Sequence, residues 1–350
     1  MILEWMGESQ AMALIGCLGG LLLGLAARMG RFCSLGAIED ALYGGSWDRA
    51  RMWGVALGGA IVLTFAAQAL GWAGIESSIY LSTAFSPLAV VTGGLLFGYG
   101  MAMAGNCGFG ALARLGGGDL RSFVIVLVMG LSALAILSGP LARLRLTLFP
   151  TPPAPRSQGI AHELGDLVGL SPAIPGIAIG LLLLAVALSS RSYLRNGRSI
   201  FWGVVIAVAI TSAWVGTSWV AATGFAASPI TSHTFAAPLG GSMLWLMTAS
   251  GTALNFGVGS VAGVLTGAFL GSLVKGHFRW EACEDPRELR RQIGGAALMG
   301  LGAVLALGCT VGQGLSAFSV LAFSAPLAAA SIILGAAFGL RQLITGFAAG

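Results

Sequence analysis

The chain has 350 residues, of which 56% are hydrophobic and only 9% charged, and its mean hydropathy is +0.89. This composition excludes a water-soluble domain and predicts an all-helical polytopic membrane protein, since several apolar runs reach the ~20 residues that a helix needs to cross a ~30 Å hydrocarbon core. A net charge of +5 would suit nucleic acid in a soluble protein, but here the basic residues lie between apolar runs, where they set topology, so no nucleic-acid partner is expected.

In chain order, nine spans are predicted at residues 11–28, 52–72, 87–104, 122–139, 172–189, 199–221, 240–274, 293–308 and 321–339. The seventh is too long for one crossing and is expected to break at Gly257 or Gly259. The opening stretch MILEWMGESQ lacks the basic region of a cleavable signal peptide. Arg28, Arg31, Arg49 and Arg51 follow the first span, Arg114 and Arg121 the third, and Arg191, Arg195 and Arg198 the fifth. With Lys275 to Arg291 and Arg341 on the same side, this bias puts the N-terminus outside and the C-terminus in the cytoplasm. The Pro-rich connection RLRLTLFPTPPAPRSQGIAHELGDL carries three arginines on the outer side, against that bias, and reads as an extended linker. The expected organisation is a first membrane half over 1–140, a linker with a connecting helix over 141–198, and a second half over 199–350.

The five cysteines are odd in number, without a CxxC pair, and the chain has only three histidines, so neither a disulfide framework, a metal site nor another cofactor is expected. Three of them share a surrounding: GGLLLGLAARMGRFCSLGA at Cys33, GGLLFGYGMAMAGNCGFGA at Cys107 and GAALMGLGAVLALGCTVGQ at Cys309. Glycine recurs 14 and 9 residues before each cysteine and 3 after it, at Gly19, Gly24 and Gly36, Gly93, Gly98 and Gly110, and Gly295, Gly300 and Gly312. Cys17 and Cys283 do not fit this frame and read as a packing or lipid-facing residue and a loop thiol. Under the predicted topology the helices leading to Cys33 and Cys107 run inward and the one leading to Cys309 outward, so the internal repeat is inverted. Inverted repeats with broken helices are a transporter architecture, and polar, Gly-rich interruptions are tolerable in a membrane only where protein or a water-filled cavity covers them. A fourth copy is sought in TGFAASPITSHTFAAPLG, where His233 and Thr234 either point at a central path or sit in a solvated outer connection.

The motifs GRFCSLGA, GNCGFGALARLGGGDLRSF and GCTVGQGLSAFS, supported by SHTFAAPLG, resemble the YeeE/YedE family of bacterial inner-membrane sulfur transporters, whose characterised activity is thiosulfate uptake. The resemblance extends over most of the chain. It implies an hourglass-shaped protein with nine membrane-spanning helices, central re-entrant loops and a thiosulfate path through a narrow waist, with Cys33, Cys107 and Cys309 at the family's functional cysteine positions. Some family members are associated with selenium metabolism, and some work as split halves or beside a small TusA-like sulfur carrier. The motif therefore leaves the sulfur or selenium species and the partner open.

The chemistry of such a path follows from charge. A small dianion in a low-dielectric waist must exchange its hydration shell for donors, yet full countercharge would bind it too tightly to pass. Weak donors in series meet both demands: neutral S–H groups of the three cysteines, amide hydrogens of Asn106 and Gln313, hydroxyls of Ser34 and Thr310, and backbone N–H groups freed by glycines such as Gly108. A thiolate would repel the anion, so the pathway cysteines are expected to stay protonated. Arg31 and Arg114, with Arg28, either concentrate anion at the cytoplasmic mouth or simply set topology. There is no P-loop, and Glu39, Asp40, Asp119 and Glu281 lie near predicted interfaces, so energy coupling is not legible. The rival reading is a membrane sulfurtransferase or thiol redox enzyme; it needs an activated thiolate and a resolving thiol or acceptor, and the sequence around Cys107 and Cys309 supplies neither. A transporter rather than an enzyme is expected.

Overall fold

The computed structural model describes residues 6–225, 227–282 and 285–346, and Cys283 lies outside the described residues. The helices that position the centre are α1 (Glu8–Gly30), α2 (Ser34–Glu39, extended by a π-helical turn Asp40–Gly44), α3 (Asp48–Ala69), α4 (Pro87–Ala104), α5 (Gly108–Leu115) and α6 (Leu120–Leu137). They are followed by α7 (Ala173–Ala187), α8 (Gly197–Thr223), α9 (Ala237–Thr248), α10 (Phe256–Val274), α11 (Pro286–Leu305) and α12 (Ser324–Thr345), with a π-helical turn Gly312–Ala317 before α12. Among the described residues there are only isolated β-bridges and no strands. The protein is an all-α polytopic membrane protein.

Seven stretches among the described residues are long and apolar enough to cross a membrane: α1, α3, α4 together with α5, α6, α8, α10 and α12. Two of the nine expected spans fall outside this set. Helix α7 has 15 residues, a rise of about 22 Å that is short of the ~30 Å core. Helix α11 opens on the charged turn containing Arg287, Glu288, Arg290 and Arg291. The long run 240–274 does break, but over residues 249–255 rather than at Gly257 or Gly259. Asn255 is the reason: its side chain accepts the Val258 N–H at 3.0 Å and caps α10, and the two glycines lie beyond it inside the helix. The Pro-rich connection is extended only in part. It includes the short helices Ala142–Leu148 and Ile160–Val168, and the stretch between them is tied down by backbone bonds to Leu81, Ser82, Ala84 and Phe323.

Glycine governs how the long helices meet. Along α1, a Cβ on Gly16, Gly20 or Gly24 would strike the carbonyls of Phe256, Ser260 and Val264, and on α10 a Cβ on Gly259, Gly263 or Gly267 would strike those of Ala13, Cys17 and Leu21. This four-residue spacing keeps the glycines on one face, so the two backbones approach without intervening side chains, the contact that association in lipid favours. Parallel α4 and α12 repeat the arrangement through Gly98 against Ile332 and Gly335 against Leu95.

The same pattern of neighbours occurs twice. Helix α1 packs on α8 and α10 while α3 packs on α8; equivalently, α4 packs on α11 and α12 while α6 packs on α11. Helix α8 runs antiparallel to α1, since Gly19 faces Ala209 and Gly216 faces Ile15, and α11 runs antiparallel to α4, since Gly93 meets Gly302 and Gly100 meets Gly295. Each helix pair from the first part of the chain is thus matched by an oppositely directed pair from the second; a short re-entrant segment lies within the α1/α3, α4/α6 and α11/α12 pairs, and the longer stretch between α8 and α10 contains α9.

Candidate functional site

Three re-entrant segments are built alike. Two residues before each frame cysteine the chain turns through a left-handed residue: Arg31 at φ 59°, Gly105 at φ 76° and Leu307 at φ 58°. That turn reverses the exit of the preceding helix, and the cysteine then receives the new one. The Cys33, Cys107 and Cys309 sulfurs accept the backbone N–H of Gly36, Gly110 and Gly312 at 3.4, 3.3 and 3.4 Å. A thiol therefore does the work of an N-cap side chain, and the glycine three residues on is its donor. The other frame glycines mostly serve packing: Gly24, Gly93, Gly98, Gly295 and Gly300 all lie against the backbone of a neighbouring helix.

These turns bring their polar groups into one buried row. The Ser34 hydroxyl lies 3.8 Å from the Cys107 sulfur, and Thr310 adjoins the same thiol. The Thr234 hydroxyl lies 3.9 Å from the Cys309 sulfur. His233, fully buried rather than solvated, has its Nδ1 2.7 Å from the Ser260 hydroxyl, and its backbone carbonyl accepts from Ser316 at 2.6 Å. Cys107 and Cys309 are completely inaccessible, whereas Cys33 is half-buried. Phe32, Phe109 and Phe235 pack alongside, with ring centroids 6.5 Å apart for the first pair and 5.2 Å for the second. Three buried polar atoms here have no hydrogen-bond partner, namely the Asn106 carbonyl oxygen, the Thr310 hydroxyl and His233 Nε2. Unpaired polar atoms are costly inside a protein, and these three lie in one row.

Cavities flank the row at opposite ends of α1. One, of about 330 Å³, is lined by Ser9, Met12, Ser228, Thr231, Asn255 and Phe256, and the last of these packs tilted against the His233 ring with centroids 5.0 Å apart. The other, of about 520 Å³, is lined by Arg28, Arg31, Arg49, Arg114, Lys275 and His277 together with Cys33, Asn106 and Glu39. Met12 and Arg28 are separated by ~24 Å of helix, which spaces the two cavities across most of a bilayer core. Like charges crowd the basic cavity: Lys275, just past α10, is held below the usual lysine range by burial and by Arg198, Arg31 and Arg28.

Not every predicted residue faces the row. Gln313 gives an amide N–H to the Ala306 carbonyl at 2.6 Å and accepts from Ser324 at 3.3 Å, so it braces the Cys309 turn. Gly108 makes room for Met129, and Arg31 and Arg114 line the basic cavity. Sequence reasoning missed Ser260, a lone hydroxyl in the apolar run GVGSVAG, and it used Arg49 for topology alone.

A family model described as sulphur transport matches residues 29–338. The chain belongs to the sulphur-transport family. All three cysteine turns, His233 and most of the residues lining the two cavities lie within the matched span. Two members of known name resemble the chain over nearly its whole length. The thiosulfate transporter TsuA of Spirochaeta thermophila is 27% identical over 332 residues, covering 91% of this chain and 96% of that protein. The thiosulfate transporter TsuA of Escherichia coli K12 is 26% identical over 373 aligned positions, covering 93% of each. Membership of the sulphur-transport family is what the cysteine motifs led one to expect, and it points to transport rather than catalysis.

Proposed function

We propose that the chain carries thiosulfate inward across the bacterial inner membrane, from the cavity at Thr231 and Asn255, along the buried row, to the basic cavity at Cys33. The N-terminus lies outside in this reading, as the distribution of arginines suggests. The observation that carries it is the continuity of donors from Thr234 beside Cys309, through Thr310 and Cys107, to Ser34 and Cys33.

The row suits a dianion with a soft terminal sulfur. Hydroxyls and the Asn255 amide receive it without a full countercharge, and neutral thiols then offer weak S–H donors in sequence. Weakness is functional here, because a site that bound tightly would not release its ion to the next. Asn106 and Thr310, buried with unpartnered oxygens, lie along the row, and the arginines of the basic cavity draw the anion out of it. Consumption of the anion on the basic side, by a soluble carrier of the TusA kind docking there, would keep the gradient inward.

The test is uptake of labelled thiosulfate, with sulfate and selenite as competitors, in cells stripped of their own uptake routes. Uptake by the parent that disappears in Cys107→Ala at matched membrane levels is the expected result. Equal uptake by both reduces Cys107 to a helix cap, and a persulfide on Cys33 or Cys107 after exposure replaces the relay with covalent sulfur transfer.

A further inference from the structure

Arg49 opens α3 and reaches back over the Cys33 turn. Its Nε lies 3.1 Å from an Asp40 carboxylate oxygen, and its Nη1 rests where a Cβ on Gly36 would be, directly against the residue whose N–H caps the Cys33 sulfur. Asp40 meets the fork at its Nε side. Among the described residues no other acceptor bonds the guanidinium, and Arg49 lines the basic cavity. The cavity has Arg28, Arg31, Arg114 and Lys275 as further cations and Glu39 as a carboxylate in its lining. Of the cations, Arg28 is engaged by Ser272 at 2.7 Å, and the Lys275 ammonium is spent on the Arg28 and Met29 carbonyls at the end of α1. Arg31 and Arg114 also line the cavity without a side-chain bond among the described residues; Arg49 differs from them in being fixed by a carboxylate against the turn of a pathway thiol.

We propose that Arg49 is an anion-binding residue, and that its Nη end with Cys33 and Asn106 forms a distinct oxyanion site between the thiol row and the solution. Asp40 positions the guanidinium while leaving the binding edge open, and a planar fork suits the terminal oxygens of a sulfur oxyanion better than an ammonium does. The inference rests on the transport reading for the identity of its ligand, but the charge it assigns to the cavity can be measured without transport.

The experiment compares the rates at which Cys33 in membrane-embedded protein reacts with anionic sulfonatoethyl methanethiosulfonate and with the cationic trimethylammonium analogue, read by peptide mass spectrometry at low salt. Taking the ratio of the two rates cancels any change in the reactivity of the thiol itself. Arg49→Gln should lower the anion-to-cation ratio about tenfold, Arg49→Lys should keep it within about twofold, and Arg51→Gln, whose guanidinium is bonded to Val186, Ala187 and Ser189, should leave it unchanged. In uptake, Arg49→Gln should raise the half-saturating thiosulfate concentration about tenfold and alter the maximal rate much less. An unchanged reagent ratio in Arg49→Gln overturns the proposal, because the charge would then be spent on Asp40. So does a lysine variant that behaves like glutamine, which would reduce Arg49 to a structural fork. A protein that moves no thiosulfate but shows the ratio change loses the transport reading and keeps the anion site.

Discussion

The Ser34 hydroxyl and the Cys107 sulfur, 73 residues apart in sequence, lie 3.8 Å apart in the buried centre. They join two re-entrant turns from different repeat copies, and either can donate to the other. In the proposed relay an anion passing Cys107 takes over its S–H, and Ser34 orients that thiol. Ser34→Ala is therefore expected to lower labelled thiosulfate uptake severalfold while Cys107→Ala abolishes it. A Ser34→Ala variant as inactive as Cys107→Ala would mean that the hydroxyl itself carries the ion.

Gly19 and Gly263 both sit on helix faces where a Cβ cannot fit, but they test different things. A methyl at Gly19 meets the His233 imidazole, whereas one at Gly263 meets the Cys17 backbone. Gly19→Ala should push His233 off Ser260 and depress uptake with little loss of thermal stability. Gly263→Ala should separate α1 from α10 and destabilise the protein by about 1–3 kcal/mol, seen as a lower unfolding temperature in detergent.

Leu307 stands in the left-handed turn before Cys309, at φ 58°, where a residue with a Cβ costs about 1–2 kcal/mol. Leu307→Gly should match or exceed the parent's stability, since the relieved strain offsets the lost side chain. The β-branched Leu307→Val should be clearly less stable. Thermal unfolding of the two variants side by side decides the point, and the reverse order would show the turn to be unstrained.

His162, in the short helix Ile160–Val168, is 8% exposed and neither ring nitrogen has a partner. Burial holds its pKa below 6.5, with Glu76 and Asp166 pulling weakly the other way. Because the folded value is depressed, the stabilisation is complete above pH 6.5 and is lost as the pH falls below it toward the folded value. Unfolding temperatures at pH 7.5 and pH 5.5 should differ more for the parent than for His162→Gln; equal differences would remove His162 as the source.

Much of the candidate site could be read from spacing, because the features that build it are local. Glycine three residues after each cysteine is the donor to that cysteine's sulfur, and glycines 14 and 9 before it lie on the faces of the leading helix, so the frame is a one-dimensional trace of a capped turn and its packing. Span positions were less legible. Hydropathy registers how apolar a window is and not where a cap begins a helix, which is why the break falls over residues 249–255, ending at the Asn255 cap, instead of at the nearby glycines. The fourth segment carries no cysteine and no left-handed turn two residues before His233, so nothing in its sequence distinguished a buried histidine from a solvated one.

By itself, then, the sequence determined that this is a membrane protein of long helices, that three thiols recur in one frame, and that arginines gather at one set of helix ends. Those properties depend on composition and on contacts within a few residues. Only the tertiary structure decided that Ser34 meets Cys107, that Thr234 meets Cys309, that His233 leans on Ser260, and that Arg49 backs onto Gly36 of the Cys33 turn. Each of these pairs joins different helices or re-entrant turns, and their meeting is set by how closely the glycine faces let the helices approach, a distance that no single segment of chain encodes.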